Sequence, residues 1–281
     1  MPTRIPKTNR TLAQALEFNY RVAPAIDDFL EENPEYEWTA DFKPKILDDA
    51  WHPSGDCTPS VYELWLKASG QNVRKPNTLS QKKTFQLGHY FHQWIQDILL
   101  RIDFAEYDAI ERRGGTFWGE TLFVEPPWHD GSPIELPEAA WNLFPEVPGQ
   151  WRVFHKPAAW HWATGSADVA PCKLVDGSHV LLDIKSISSV DAKSNTPPAR
   201  YVDKWECQAC IYLDWFDLDE AIFLGVSKES PHNFREWSFK ANPPLVDAIY
   251  EKWRLVSMCL DEGEEVPEDF DIELPLLGPQ A

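Results

Sequence analysis

Gly165-Ser166-Ala167-Asp168 and Leu182-Asp183-Ile184-Lys185 bound the stretch whose reading decides the fold. Between them stands Asp176-Gly177, flanked by apolar runs. A tight primed turn needs positive φ, which Asp and Gly tolerate, so the stretch reads as a β-hairpin. Val180, Leu182 and Ile184 alternate with Leu181, Asp183 and Lys185. With a period of two, Asp183 and Lys185 project from one face. Taking Asp176-Gly177 as a two-residue loop sets Asp168 opposite Lys185 and Ala170 opposite Asp183. Asp168 and Asp183 then become diagonal neighbours roughly 7–8 Å apart. A bulge or a longer loop changes that pairing.

Two carboxylates at this spacing can share a hard divalent cation such as Mg²⁺, which takes oxygen ligands and keeps several waters. Such a cation lowers the pKa of a bound water and offsets charge on a phosphodiester. Lys185 stands beside the pair, placed to orient or deprotonate an attacking water or to balance developing negative charge. The same residues also fit a plain salt-bridged strand pair, and the hairpin alone does not separate the two readings.

Two helices extend the pattern. Thr78 to Arg101 carries Leu79, Phe85, Leu87, Phe91, Trp94, Ile95, Ile98 and Leu99 at helical spacing. Within it, Gly88 lets another backbone approach, and His92 lies one turn later on the same face, with His89 as a local competitor. Tyr201 to Phe216 reads as a second helix, with Lys204, Gln208 and Tyr212 on one i, i+4, i+8 stripe. Gln208 offers both donors and an acceptor.

The order Gly88-x-x-x-His92, Gly165-x-x-Asp168, Asp183-x-Lys185, Gln208-x-x-x-Tyr212 resembles the PD-(D/E)XK nuclease superfamily. Within it, the likeness is to RecB-like exonucleases, including CRISPR-associated and phage relatives, over about residues 58–226. The resemblance implies an α+β, restriction-endonuclease-like fold: a mixed central sheet flanked by helices, with a helical N-terminal region. It implies a Mg²⁺- or Mn²⁺-dependent deoxyribonuclease, an exonuclease rather than an endonuclease, acting on linear DNA ends in recombination, replication or repair. By the same likeness His92, Asp168 and Asp183 hold metal with the backbone carbonyl of Ile184, and Glu120 is a further ligand position. Lys185 handles the nucleophilic water, while Gln208 and Tyr212 flank the site. Lys82, Lys83, Lys193, Arg200 and Lys204 are the expected DNA contacts. A recombinase or single-strand annealing protein, and a second copy of the chain, are the expected partners. The alternative is a catalytically silent nuclease fold that binds nucleic acid or protein.

Composition cuts across this. The 281 residues carry a net charge of −19, whereas phosphate binding draws on Lys and Arg. Acids concentrate in 27–49 and 261–273, while Lys67, Arg74, Lys75, Lys82 and Lys83 face only Glu63 between Val61 and Gln96. A local basic patch therefore coexists with an acidic remainder. No apolar run reaches the roughly 18 residues of a membrane span, and no signal peptide opens the chain. Five cysteines, an odd number, fit a reducing cytoplasm, the host's if the chain is phage-encoded. Their spacing departs from that of iron–sulfur relatives, so no cluster is expected, and buried thiols are the simpler reading.

The remaining chain divides into an N-terminal helical and acidic excursion (1–57), a nuclease unit (58–260) and an acidic tail (261–281). Thr11 to Leu30 reads as helical pieces broken near Pro24, and Thr58-Pro59-Ser60 starts a helix. Phe117 to Val124 reads as one strand, Trp151 to Trp162 as containing another, and Ala221 to Val226 as a strand paired with Phe234 to Phe239. Pro243-Pro244 opens a last helix through Leu260.

Overall fold

The structure is a computed structural model that describes residues 21–33, 51–71, 79–102, 117–118, 121–124, 151–155, 163–230 and 233–278. Its helices are α1 (Ala23–Glu32), α2 (Pro53–Asp56), α3 (Val61–Ala68), α4 (Leu79–Arg101), α5 (Val202–Phe216) and α6 (Pro243–Glu262). Its strands are β1 (Phe117–Trp118), β2 (Thr121–Val124), β3 (Trp151–His155), β4 (Ala163–Ala167), β5 (Val169–Lys173), β6 (His179–Ile187), β7 (Glu220–Ser227) and β8 (Phe234–Lys240). They form two four-stranded sheets, β1-β2-β3-β4 and β5-β6-β7-β8.

The second sheet is mixed. β5 runs antiparallel to β6, β6 parallel to β7, and β7 antiparallel to β8. Parallel neighbours need a crossover, and α5 supplies it between β6 and β7. Burial on both faces explains why β6 reads as a nearly continuous apolar run. Val180, Leu182 and Ile184 pack with Phe91, Ile95 and Ile98 of α4 and Ile26 of α1. Leu181 and Ile187 belong to the opposite core, with Trp205, Tyr212 and Trp215 of α5 and Trp253 of α6. The mixed central sheet flanked by helices agrees with the sequence.

The hairpin differs from the expected one in two ways. Its loop is longer: Leu174 N donates to Ser178 O at 2.9 Å and Gly177 N to Leu174 O at 2.8 Å, with Gly177 at φ 82°. Val175-Asp176-Gly177 is thus a three-residue loop closing on a left-handed glycine. The register then shifts between Cys172↔Val180 and Val169↔Leu182. Continuing by one residue sets Asp168 level with Asp183, where a two-residue loop would have set it opposite Lys185. Second, Gly165-Ser166-Ala167 belongs to β4, which pairs with β3 in the other sheet. Asp168 is the bend at which the chain passes from one sheet to the next.

Elsewhere the elements follow local chemistry. Ser60 caps α3 in a reciprocal box with Glu63, each side chain meeting the other residue's N–H. Pro24 lies in the first turn of α1, where its missing N–H costs nothing, so it starts that helix instead of breaking it. The expected single strand Phe117 to Val124 is a pair, with Trp118 opposite Thr121. The segment after α6 lies along the body: Val266 is buried, Asp271 accepts from Val61 N, and Glu206 of α5 accepts from Leu277 N and Gly278 N.

Candidate active site

A stripe on α4 meets the bend between the sheets. Gly88, His92 and Gln96 recur every four residues and so share one helical face. A methyl group at Gly88 would lie 3.0 Å from Ser186 Oγ of β6, so glycine permits the close approach. His92 Nδ1 lies 3.1 Å from Asp168 Oδ1, and Gln96 Nε2 donates to the Asp168 carbonyl at 2.7 Å. The other carboxylate oxygen of Asp168 accepts from Ile184 N at 2.7 Å. Asp168 is therefore held at both oxygens and at its backbone.

On the face toward α5, Lys185 Nζ stands 2.6 Å from Asp183 Oδ1 and donates to Gln208 Oε1 at 2.9 Å. Gln208 Nε2 donates to Asp183 Oδ2 at 3.0 Å. Gln208 thereby ties the acid and the base together, spending its acceptor on one and a donor on the other. Lys185 also lies over the Phe223 ring, 5.0 Å from its centre. Asp183 Oδ1 is buried, and the Lys185 ammonium is its close contact.

The two acids are electrostatically unlike. Burial would raise Asp168, but His92, Lys185 and the Ile184 N–H outweigh it and hold the carboxyl below its ordinary range. For Asp183 burial dominates over Lys185, and the negative charge of Asp168 adds to it, pushing the carboxyl up to about 6. Burial works against charge on His92 too, yet the Asp168 carboxylate raises its pKa. The pair thus carries one firmly ionised acid and one whose ionisation is shifted toward neutral pH.

Most of the sequence-derived residues converge here: His92, Asp168, Asp183, Lys185 and Gln208. Tyr212 is placed differently. It is buried, 2% exposed, and its ring occupies the space where a side chain at Gly165 would be. Its ring packs against β4 at Gly165. Glu120 lies outside the described residues, as do the side chains of His89, Lys82 and Lys83. Lys193 is exposed at the end of a short 3₁₀ turn, and Arg200 pairs with Asp191. Lys204 sits one turn before Gln208, where partial burial of its ammonium and repulsion from Lys185 lower its pKa. Gln96 was missed by the sequence reading, although its position four residues after His92 was the available signal.

Among the described residues, no three His, Cys, Asp or Glu side chains are gathered as a metal site. The donors nevertheless suit a hard cation that keeps waters: two buried carboxylates beside an imidazole. Cys57, Cys207 and Cys210 are buried free thiols, and burial pushes Cys207 and Cys210 up to about 12, far from thiolate at neutral pH. No helix among the described residues is long and apolar enough to cross a membrane.

No family model and no curated protein matches the chain. A solved structure of the protein SSO0001 aligns over 87% of this chain and 87% of its own, at 12% identity and a TM-score of 0.37. That likeness is too distant to carry an argument about fold or function.

Proposed function

We propose that the chain is a Mg²⁺- or Mn²⁺-dependent deoxyribonuclease of the PD-(D/E)XK, RecB-like type, working from linear DNA ends on a restriction-endonuclease-like core. One observation carries the reading: two carboxylates and an ammonium are brought together in a buried site, where Asp183 is both desolvated and repelled by Asp168. A lone structural ion pair needs only one of these acids, whereas a cation offsets the burial and mutual repulsion of both.

Asp168, Asp183 and His92 would hold the metal, with the Ile184 carbonyl and Glu120 as further ligands. When bound, the cation supplies a water of lowered pKa and offsets charge on the scissile phosphate. Lys185 holds or moves the proton of the attacking water at Nζ, and its charge faces the phosphate as negative charge builds. Gln208 fixes the Lys185 ammonium and the Asp183 carboxylate relative to each other. Lys193, Arg200 and Lys204, with Lys82 and Lys83, would meet the DNA backbone. The nuclease unit spans about 58–260, works inside the cell, and would partner a recombinase or annealing protein or a second copy of itself.

The net charge of −19 favours a second reading, a silent nuclease fold that binds without cutting. Digestion of end-labelled linear and closed circular DNA, single- and double-stranded, with Mg²⁺, Mn²⁺ or EDTA separates the two. Metal-dependent loss of linear DNA, absent in Asp183→Ala, is the expected result. Cutting of circles makes the protein an endonuclease. No cleavage with any metal by the folded protein leaves the binding reading.

A further inference from the structure

A line of π systems leads out of the site to the surface. Lys185 Nζ stands over Phe223, whose ring centre is 5.7 Å from that of Trp205. Trp205 is nearly parallel to Tyr201, with centres 5.5 Å apart and planes 19° from parallel. The guanidinium of Arg200 lies 4.7 Å above the Tyr201 ring. Trp205 is buried, but Tyr201 is 39% exposed and the Arg200 side chain 57% exposed. The ladder therefore begins at the lysine of the site and ends in a flat, solvent-facing guanidinium that is also ion-paired with Asp191.

Burial does not account for the outer part of that ladder. Trp205 belongs to the core beneath it, tilted against Trp237 with ring centres 5.4 Å apart. A planar cation over an exposed ring offers a stacking surface with charge at its edge, which suits a nucleobase and its phosphate. Placement agrees. Tyr201 is the N-cap residue of α5 and Gln208 lies seven residues further on, about 10 Å along the helix axis. That distance suits a base a few nucleotides at most from a phosphate at Lys185, since stacked bases on one strand repeat at about 3.4 Å. A base within a duplex has both faces covered and cannot lie on such a step.

We propose that Arg200 and Tyr201 form a stacking platform for one unpaired base beside the scissile phosphate, so that the substrate is a single-stranded or frayed end. The scissile phosphate rests on the nuclease reading, and binding tests the platform independently of cleavage. The base extends the Trp205–Tyr201–Arg200 stack by one layer, with Arg200 held in place by Asp191. Tyr201 and Arg200 are positioning residues for the strand.

The test is fluorescence anisotropy in EDTA with single-stranded oligonucleotides carrying one abasic site at successive positions from each end. In the native protein, one position is expected to weaken binding about 5- to 100-fold. Tyr201→Ala should weaken the intact oligonucleotide by the same factor and abolish sensitivity to that abasic site. Tyr201→Trp should restore both, and Tyr201→Leu serves if the alanine variant does not fold. A merely structural role cannot produce position-specific cancellation. Native-like binding by folded Tyr201→Ala or Tyr201→Leu, or an abasic penalty that persists in either, overturns the platform, as does failure of the native protein to bind any oligonucleotide. Base-specific binding without cleavage under any metal keeps the platform and removes the nuclease; cleavage without Tyr201 dependence does the reverse.

Discussion

Asp183 on β6 and Glu220 on β7 are both carboxylates paired with a cation on the same sheet, yet their electrostatics run in opposite directions. Glu220 is 17% exposed and gathers Arg21, Ser238 and Lys240, which together outweigh its burial and pull the carboxyl down to about 2. Asp183 is 4% exposed, accepts a directed bond from Gln208, and is pushed up to about 6. The difference lies in how many donors each acid receives for the solvent it gives up. Glu220 is saturated and holds an edge of the sheet to the segment before α1. Asp183 is deeper and repelled by Asp168, an arrangement that costs stability.

The largest expected effect separates these two acids by function. Asp183→Ala should lower metal-dependent cleavage by at least about 10³-fold, several kcal/mol of transition-state stabilisation, while the protein still folds. Glu220→Ala should leave cleavage within about threefold but destabilise the fold by about 1–2 kcal/mol through its orphaned partners. Single-turnover digestion and urea melts of both variants check the contrast. Full cleavage by Asp183→Ala would end the assignment of the site.

Titration sharpens the same comparison without changing which residues fold the chain. Asp183 has its folded pKa raised, so the folded state holds a proton that the unfolded state has lost. Metal-free stability should therefore fall as pH rises from about 4 to about 6. Glu220 has its folded pKa depressed, so its contribution is complete above about 4.5 and lost as pH falls toward about 2. Thermal melts in EDTA across this range should show Asp183→Asn removing the upper decline and Glu220→Gln removing the acid-side loss. If Asp183→Asn leaves the upper limb unchanged, burial is not what raises that carboxyl.

Much of this contrast was legible in the chain. The alternation along β6 assigns Asp183 and Lys185 to one face, and the four-residue spacing on α4 and α5 delivers His92 and Gln208 to the same site. What escaped was the path between the sheets. Nothing local says that Ala163–Ala167 pairs with β3 while Val169–Lys173 pairs with β6, because that choice depends on which strand edges the folded chain presents. The three-residue loop escaped because Asp-Gly serves either a primed two-residue turn or a longer one ending in a left-handed glycine. The reason for Gly165 lies on α5: a side chain there would come within 2.7 Å of Tyr212 Cε1. Gly165→Ala should accordingly cost about 1–3 kcal/mol by overpacking. A melt like that of the native protein would mean that Tyr212 can swing aside.

The smallest effect tests whether Asp168 is positioned as tightly as Asp183 is loosely supplied. Gln96 donates to the Asp168 carbonyl from the helix, at the one residue where the chain leaves one sheet for the other. Gln96 is 1% exposed, so its loss leaves a buried carbonyl without that donor. Gln96→Ala should destabilise the fold by about 1 kcal/mol. If the bend also sets the angle between the two carboxylates, cleavage should drop about tenfold in kcat with KM little changed, since a small displacement of a ligand acts on the reaction more than on distant strand contacts. Gln96→Glu repels the same carbonyl and should do worse on both measures. A stability loss with unaltered kcat would show that the His92 and Ile184 contacts suffice to orient Asp168, leaving Gln96 as packing for the bend alone.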